Sequence, residues 1–180
     1  MIFRERYNTA KNLWSDQRGL AFTESALILP IMLVVLFGMF DLGQAMIINQ
    51  KITSAAHIAS DLITRKPTIT QADLDDAIGG AQLVIDPYNR DNMGVDIAGI
   101  KFDDEDSPNV IWRHTHNMSP HPSIPNDADG LGLEGEGVVA VIVTYSYTPK
   151  FSGAVFNEFE MRETAFLRGR RTSVVKMEEE

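Results

Sequence analysis

The stretch that decides the fold reads Arg18-Gly19-Leu20-Ala21-Phe22-Thr23-Glu24-Ser25, followed without a break by Ala26-Leu27-Ile28-Leu29-Pro30-Ile31-Met32-Leu33-Val34-Val35-Leu36-Phe37-Gly38-Met39-Phe40. The second part holds fifteen residues with neither a charge nor a hydrogen-bonding side chain. Counted from Leu20 the run is twenty-one residues long, interrupted by Thr23, Glu24 and Ser25. As a helix it spans about 30 Å, the thickness of a bilayer's hydrocarbon core. Arg4, Arg6, Lys11 and Arg18 precede it, whereas Asp41 follows it and the next lysine is Lys51. The positive-inside bias therefore predicts a single pass, with the N-terminus in the cytoplasm and the bulk of the chain across the membrane. Two other readings compete. A buried helix in a soluble protein would need apolar partners on every side, which is uncommon for a helix this long in 180 residues. A secretory signal would use Gly43-Gln44-Ala45 as a small-x-small cleavage site, but the apolar run exceeds an ordinary signal core and Asp41 intervenes.

Composition narrows the rest. The chain has 16 basic and 25 acidic residues, a formal net charge of −9, and no cysteine. The charge is unevenly placed: the first nineteen residues carry four basic and two acidic side chains, leaving −11 for the remainder. An acidic surface argues against nucleic acid, which needs a basic face to neutralise phosphates. The absence of cysteine excludes disulfides, thiolate metal centres and a cysteine nucleophile.

Glu24 is the anomaly in the apolar run. It is the fifth residue when Leu20 is counted as the first. A carboxylate there is costly to desolvate and calls for a partner, unless it sits at headgroup level near the helix N-terminus, where the dipole favours an acid. A basic leader, Gly19, four residues, Glu24 and then an apolar helix resemble the processing site of type IV prepilins and pseudopilins. That resemblance implies cleavage between Gly19 and Leu20 by a prepilin peptidase, with Glu24 as the assembly residue. A new α-amino group at Leu20 would be a cation for a neighbour's Glu24 carboxylate in a medium of low dielectric. Further residues narrow the likeness. The stretch from Arg18 to Pro30, then Gly38, Asp41, Gly43, Ala55-Ala56 and Ala59, resembles the start of TadE-like proteins, minor pseudopilins of the tight-adherence (Tad, or Flp) pilus. Tyr145-Ser146-Tyr147-Thr148-Pro149 and the segment Arg162 to Arg171 are similar to that family's closing strands. The major pilin of this system is far shorter and carries tyrosine after the glutamate, where this chain has Ser25. TadG-like relatives carry a much larger domain.

The rest of the chain fits a small exported domain. Ile48, Ile52, Ala55, Ala56, Ala59, Leu62 and Ile63 continue one helical face, so a single helix from about Leu20 to Thr64 is predicted, with Pro30 as a kink and Arg65-Lys66-Pro67 as its end. A short helix is predicted from Asp73 to Leu83, capped by Thr70 and weakened by Gly79-Gly80. Strands are predicted at Val95–Phe102, Val110–His114, Val138–Thr148 and Met161–Arg171, the third apolar on both faces. Asp103 to Asp106 reads as a solvated acidic turn, Thr115–Gly137 as a long surface loop, and Glu178 to Glu180 as a frayed tail. Two metal readings remain open: His114, His116 and His121 as a transition-metal set, and Asp127, Asp129 and Glu136 as a partial calcium loop in which Pro125 occupies the first ligand position. No catalytic motif is found, and His57 reads as a helical histidine rather than a base.

The expected architecture is α+β and pilin-like: a long N-terminal helix, its first half transmembrane, packed on a small antiparallel sheet domain. The divisions are a cytoplasmic prepilin-type leader (1–19), a transmembrane helix (20–41), its periplasmic continuation (42–65) and a periplasmic α+β domain (66–180). What the resemblance implies is a non-catalytic assembly subunit of a Tad-type pilus in the inner membrane, in or at the tip of a surface pilus, without cofactor or metal. Its partners would be the prepilin peptidase, other pilins and pseudopilins, the inner-membrane assembly platform and lipid. The alternatives are an unprocessed, membrane-anchored periplasmic binding module, and a periplasmic metal-dependent enzyme built on His114 and His116.

Overall fold

The computed structural model describes residues 18–178 apart from 104–106, 152 and 154–156. Most of the basic leader, most of the acidic turn, and Glu179 and Glu180 of the tail lie outside the described residues.

The first element is helix α1, Arg18–Thr64, 47 residues long. At 1.5 Å per residue it measures about 70 Å. It runs unbroken through Pro30. That proline removes the N–H that would bond the carbonyl of Ala26, a loss that membrane helices tolerate. Before Asp41 its side chains are mostly exposed, and beyond that point Ile48, Ile52, Ala55, Ala56, Ala59 and Ile63 are buried along one face. The helix stops where the sequence predicts. Lys66 N–H donates to the carbonyl of Ile63, and Arg170 N–H donates to the carbonyl of Thr64 at 3.0 Å, so carbonyls orphaned at the helix end find donors.

Strand β1 (Thr68–Ile69) leads into helix α2 (Gln71–Ile85), which packs antiparallel along the distal half of α1. Thr70 caps α2 with a full capping box, its hydroxyl accepting from Asp73 N–H and the Asp73 carboxylate accepting from Thr70 N–H. The glycine pair that weakens this helix has a packing reason at Gly80: a Cβ there would lie 3.1 Å from Leu62 Cδ1. At the other end Lys51 of α1 reaches across, its Nζ donating to the carbonyls of Val84 (2.8 Å) and Asp86 (2.6 Å), a cation placed on a helix C-terminus.

A 3₁₀ turn (Arg90–Asn92) then starts the sheet. Strands β2 (Met93–Phe102), β3 (Pro108–His116), β4 (Gly137–Tyr147) and β5 (Phe159–Arg168) form an antiparallel sheet in the order β3-β2-β4-β5. β4 pairs with β2 through Ala98↔Ala140 and with β5 through Val141↔Ala165. As its two-sided apolar pattern predicts, β4 is covered on both faces. Val139, Val141, Val143, Tyr145 and Tyr147 join α1 and α2 in the main core, while Val138, Ala140 and Ile142 join Ala98, Ile100 and Phe102 in a second one.

That second core corrects the sequence reading of 115–137 as a surface loop. β3 continues to His116, and the following segment folds back over the sheet with a short helix α3 (Ile124–Asp127), burying Ile124 and Ala128 completely. Its polar composition concealed two apolar residues that seal a sheet face. The tail is also better held than expected. Strand β6 (Lys176–Met177) pairs in parallel with β1, and Glu178 N–H donates to the carbonyl of Ile69 at 2.8 Å. Trp112 fixes this corner: its ring lies over Gly99, where a Cβ would sit 2.1 Å from Trp112 Cε2, and its indole N–H donates to the carbonyl of Val175 at 2.8 Å.

Candidate functional site

The residues that the sequence reading assigns to processing and assembly lie at the start of α1. Gly19 is in the first turn, with open space where a side chain would be, and Leu20 is largely exposed. Thr23 Oγ1 donates to the Leu20 carbonyl at 2.8 Å. Glu24 is exposed one helical turn beyond Leu20, so these two residues share a helix face. Pro30 is exposed about one and two-thirds turns further along. Residues 20–37 are exposed, so this end of the helix is available to partners around its whole circumference.

The two ends of the sequence pattern meet elsewhere, at Asp41. This residue ends the apolar run, yet it is only 4% exposed. Its carboxylate accepts from the backbone N–H of Lys150 (3.1 Å) and of Phe151 (3.1 Å), just past β4. Its backbone carbonyl accepts from the Tyr147 hydroxyl at 3.1 Å. The arrangement follows from local chemistry. Tyr147 is the last inward residue of β4, and Pro149 cannot continue the ladder, so the chain turns and presents two successive amides to the carboxylate. Aromatic rings close the joint: Phe151 stacks on Phe37 with centroids 5.2 Å apart and meets Phe40 edge-on at 5.2 Å. A turn further, Tyr88 donates its hydroxyl hydrogen to Gln44 Oε1 at 2.8 Å. Burial pushes the Tyr147 phenol above its ordinary pKa, and the nearby Asp41 charge and Tyr88 push the same way. The hydroxyl therefore stays a donor. Asp41 is thus a buried anchor that ties the domain to α1 at the end of the apolar run. The sequence signal for it was present, an acid alone in an apolar stretch together with the Tyr-x-Tyr-x-Pro segment, but only the fold shows that the two are partners.

A second polar cluster pins the segment over the outer sheet face. Asp96 is fully buried in β2 and accepts from Arg113 Nε at 2.9 Å, from Arg113 Nη2, and from His121 N–H at 2.8 Å. Arg113 Nη2 also donates to the His121 carbonyl at 2.7 Å. The residues of the two metal readings are not brought together as sets. His114 lies against Gln71 and Asp75, His116 against Gln82, and His121 against Ser123 and Arg162. Asp127 accepts from Ser123, while Glu136 takes Arg168 and the Leu133 amide. Among the described residues no group of three such side chains is placed to hold a metal ion.

The geometry defines a class: one N-terminal helix long and apolar enough to cross a membrane, with an eighteen-residue window of mean hydropathy 2.3, continuing as the spine of a small α+β domain. Within that class the chain carries a TadE-like segment. Residues 19–61 match the model of the family described as TadE-like protein. The match takes in Gly19, Leu20, Glu24, Pro30 and Asp41 and ends before the sheet domain. No curated protein matches the chain, and no solved structure does.

Proposed function

We propose that this chain is a structural assembly subunit of a Tad-type pilus, a minor pseudopilin rather than an enzyme. The observation that carries the reading is the TadE-like segment at 19–61, which begins at the glycine before the apolar helix and contains Glu24 five residues later. In this reading a prepilin peptidase cuts between Gly19 and Leu20. Leu20 then carries a free ammonium, and Glu24 of a neighbouring subunit supplies its counter-charge as the helices pack in lipid. The rest of α1 transmits that position to the sheet domain, on the periplasmic side, through the Asp41 joint. Neighbouring pilins and the inner-membrane assembly platform are the partners.

The test is Glu24→Ala in the full chain, expressed together with the other pilus components. The expected outcome is a chain processed as usual but absent from the assembled pilus fraction. Normal incorporation of the variant would show that Glu24 has no part in assembly. A chain that is never processed and never co-purifies with pilins would instead be a membrane-anchored binding module.

A further inference from the structure

A groove of about 470 Å³ opens on one flank of the Asp41 joint. One wall is the apolar helix, at Val34, Gly38 and Leu42; the other is the underside of the domain, at Tyr147, Pro149 and Phe159. Asp41 borders it, but its carboxylate already accepts the amides of Lys150 and Phe151, so it presents no unmet demand for water.

Three observations say what fills the groove. First, the outward apolar surface does not stop at Asp41. Leu42, Met46 and Ile47 are exposed on α1, and Phe151 and Phe159 are exposed on the base of the domain. From Leu20 to Phe40 the helix measures about 30 Å, the hydrocarbon thickness, so the aromatic base of the domain, joined at Asp41, meets the membrane–water boundary, where aromatic rings collect. Second, the groove is continuous with the lipid-facing side of the span, through Val34 and Gly38, and the domain forms its other wall. At about 10–12 Å across, a neighbouring helix would fit only about one turn into this volume. An acyl chain is thinner and is not so limited. Third, apart from Asp41, Tyr147 and Asn157 the residues lining the groove are apolar, and the Tyr147 hydroxyl is already taken by the Asp41 carbonyl. We propose that this groove binds one acyl chain of a membrane phospholipid, which wedges between helix and domain and fixes the tilt of the sheet domain on its membrane helix. The proposal rests on α1 being a membrane span, the membrane part of the reading above.

The test uses the full chain in phosphatidylcholine vesicles doped with a phosphatidylcholine that carries a photoreactive diazirine near the end of one acyl chain. Labelled positions are read by peptide mass spectrometry. The expected result is label on Tyr147 and Phe159 of the domain, as well as on Met32, which is exposed on the span. In Gly38→Phe, where the new side chain starts from open space and fills the groove, label on the domain wall is lost and label at Met32 stays. Leu42→Trp is the second filling variant and gives the same pattern. Label at Met32 with none on Tyr147 or Phe159 overturns the groove proposal alone. So does label that persists in both filled variants, or a cross-link from Gly38→Cys to a second copy in place of lipid. Absence of label at Met32 as well overturns the membrane reading on which the proposal stands.

Discussion

Replacing Asp41 with alanine removes the acceptor of two backbone donors at once. The N–H groups of Lys150 and Phe151, each 3.1 Å from a carboxylate oxygen, lose a charged partner, while the Tyr147 hydroxyl keeps the main-chain carbonyl of residue 41. Hydrogen bonds to a charged group contribute about 1.5–3 kcal/mol each, and a stranded buried donor costs about 1–3 kcal/mol. The two amides are adjacent and partly reachable by water, so the combined loss is about 2–3 kcal/mol rather than the full sum. The loss falls on the joint and not on the main core, because Phe37, Phe40 and Phe151 close the same corner while Ile48 to Ile63 pack independently further along. Amide hydrogen exchange of the full chain in lipid nanodiscs reads this directly. Exchange at residues 150 and 151 should accelerate roughly thirty- to hundred-fold, at about 1.4 kcal/mol per factor of ten. Exchange in β2 and in the middle of β4 should not change. Asp41→Asn keeps one acceptor oxygen and should recover part of the protection. Unchanged exchange at residues 150 and 151 in Asp41→Ala, or a uniform loss across the sheet, would refute the assignment of Asp41 as a local anchor.

Two more predictions concern the domain. Asp96→Ala leaves Arg113 facing a buried, empty acceptor position, and breaking a buried pair in this way costs about 3–5 kcal/mol; urea unfolding should show that loss, and limited proteolysis should cut first in the 117–136 segment. The Asp73 carboxyl is held below its ordinary value of 3.8, first by the hydrogen bond from Lys66 and then by the Thr70 amide. A depressed carboxylate pKa stabilises the fold fully above the ordinary value, and that contribution is lost as pH falls through the folded value. Melting temperature measured downward from neutrality should therefore fall below about pH 4, and Asp73→Asn should be less stable than the native chain at pH 7 with a smaller acid-induced fall.

Much of this fold was legible because its patterns are local. The apolar run and the Ile48-to-Ile63 stripe share one helical period, so a helix ending at Thr64 follows from spacing and from Pro67. Thr70 and Asp73 are three apart and make their own cap. β4 announces two buried faces because both of its residue sets are apolar. What stayed hidden depends on residues far apart in the chain. The 117–136 segment looks polar, and its role rests on Ile124 and Ala128 meeting Phe102, Ala140 and Ile142 across the sheet. β1 and β6 are two residues each, too short to carry a period. The three histidines lie near one another in sequence, yet His114 and His116, on one face of β3, meet Gln71 and Gln82 of α2 separately, and the turn after His116 takes His121 to Ser123. At the candidate site, Gly19, Leu20 and Glu24 could be named through the resemblance of this basic leader, glycine and glutamate to prepilin processing sites. Asp41 could be noticed but not explained, because its partners lie 109 and 110 residues away.

The assembly-subunit reading stands most directly on the fate of the bond between Gly19 and Leu20. Intact-mass and N-terminal peptide measurements should be made on the chain purified from membranes of cells with an active prepilin peptidase, and on the same chain from cells lacking it. A mature chain beginning at Leu20 in the first case, and one retaining the leader in the second, is the predicted result. A chain that keeps residues 1–19 in both would contradict the account.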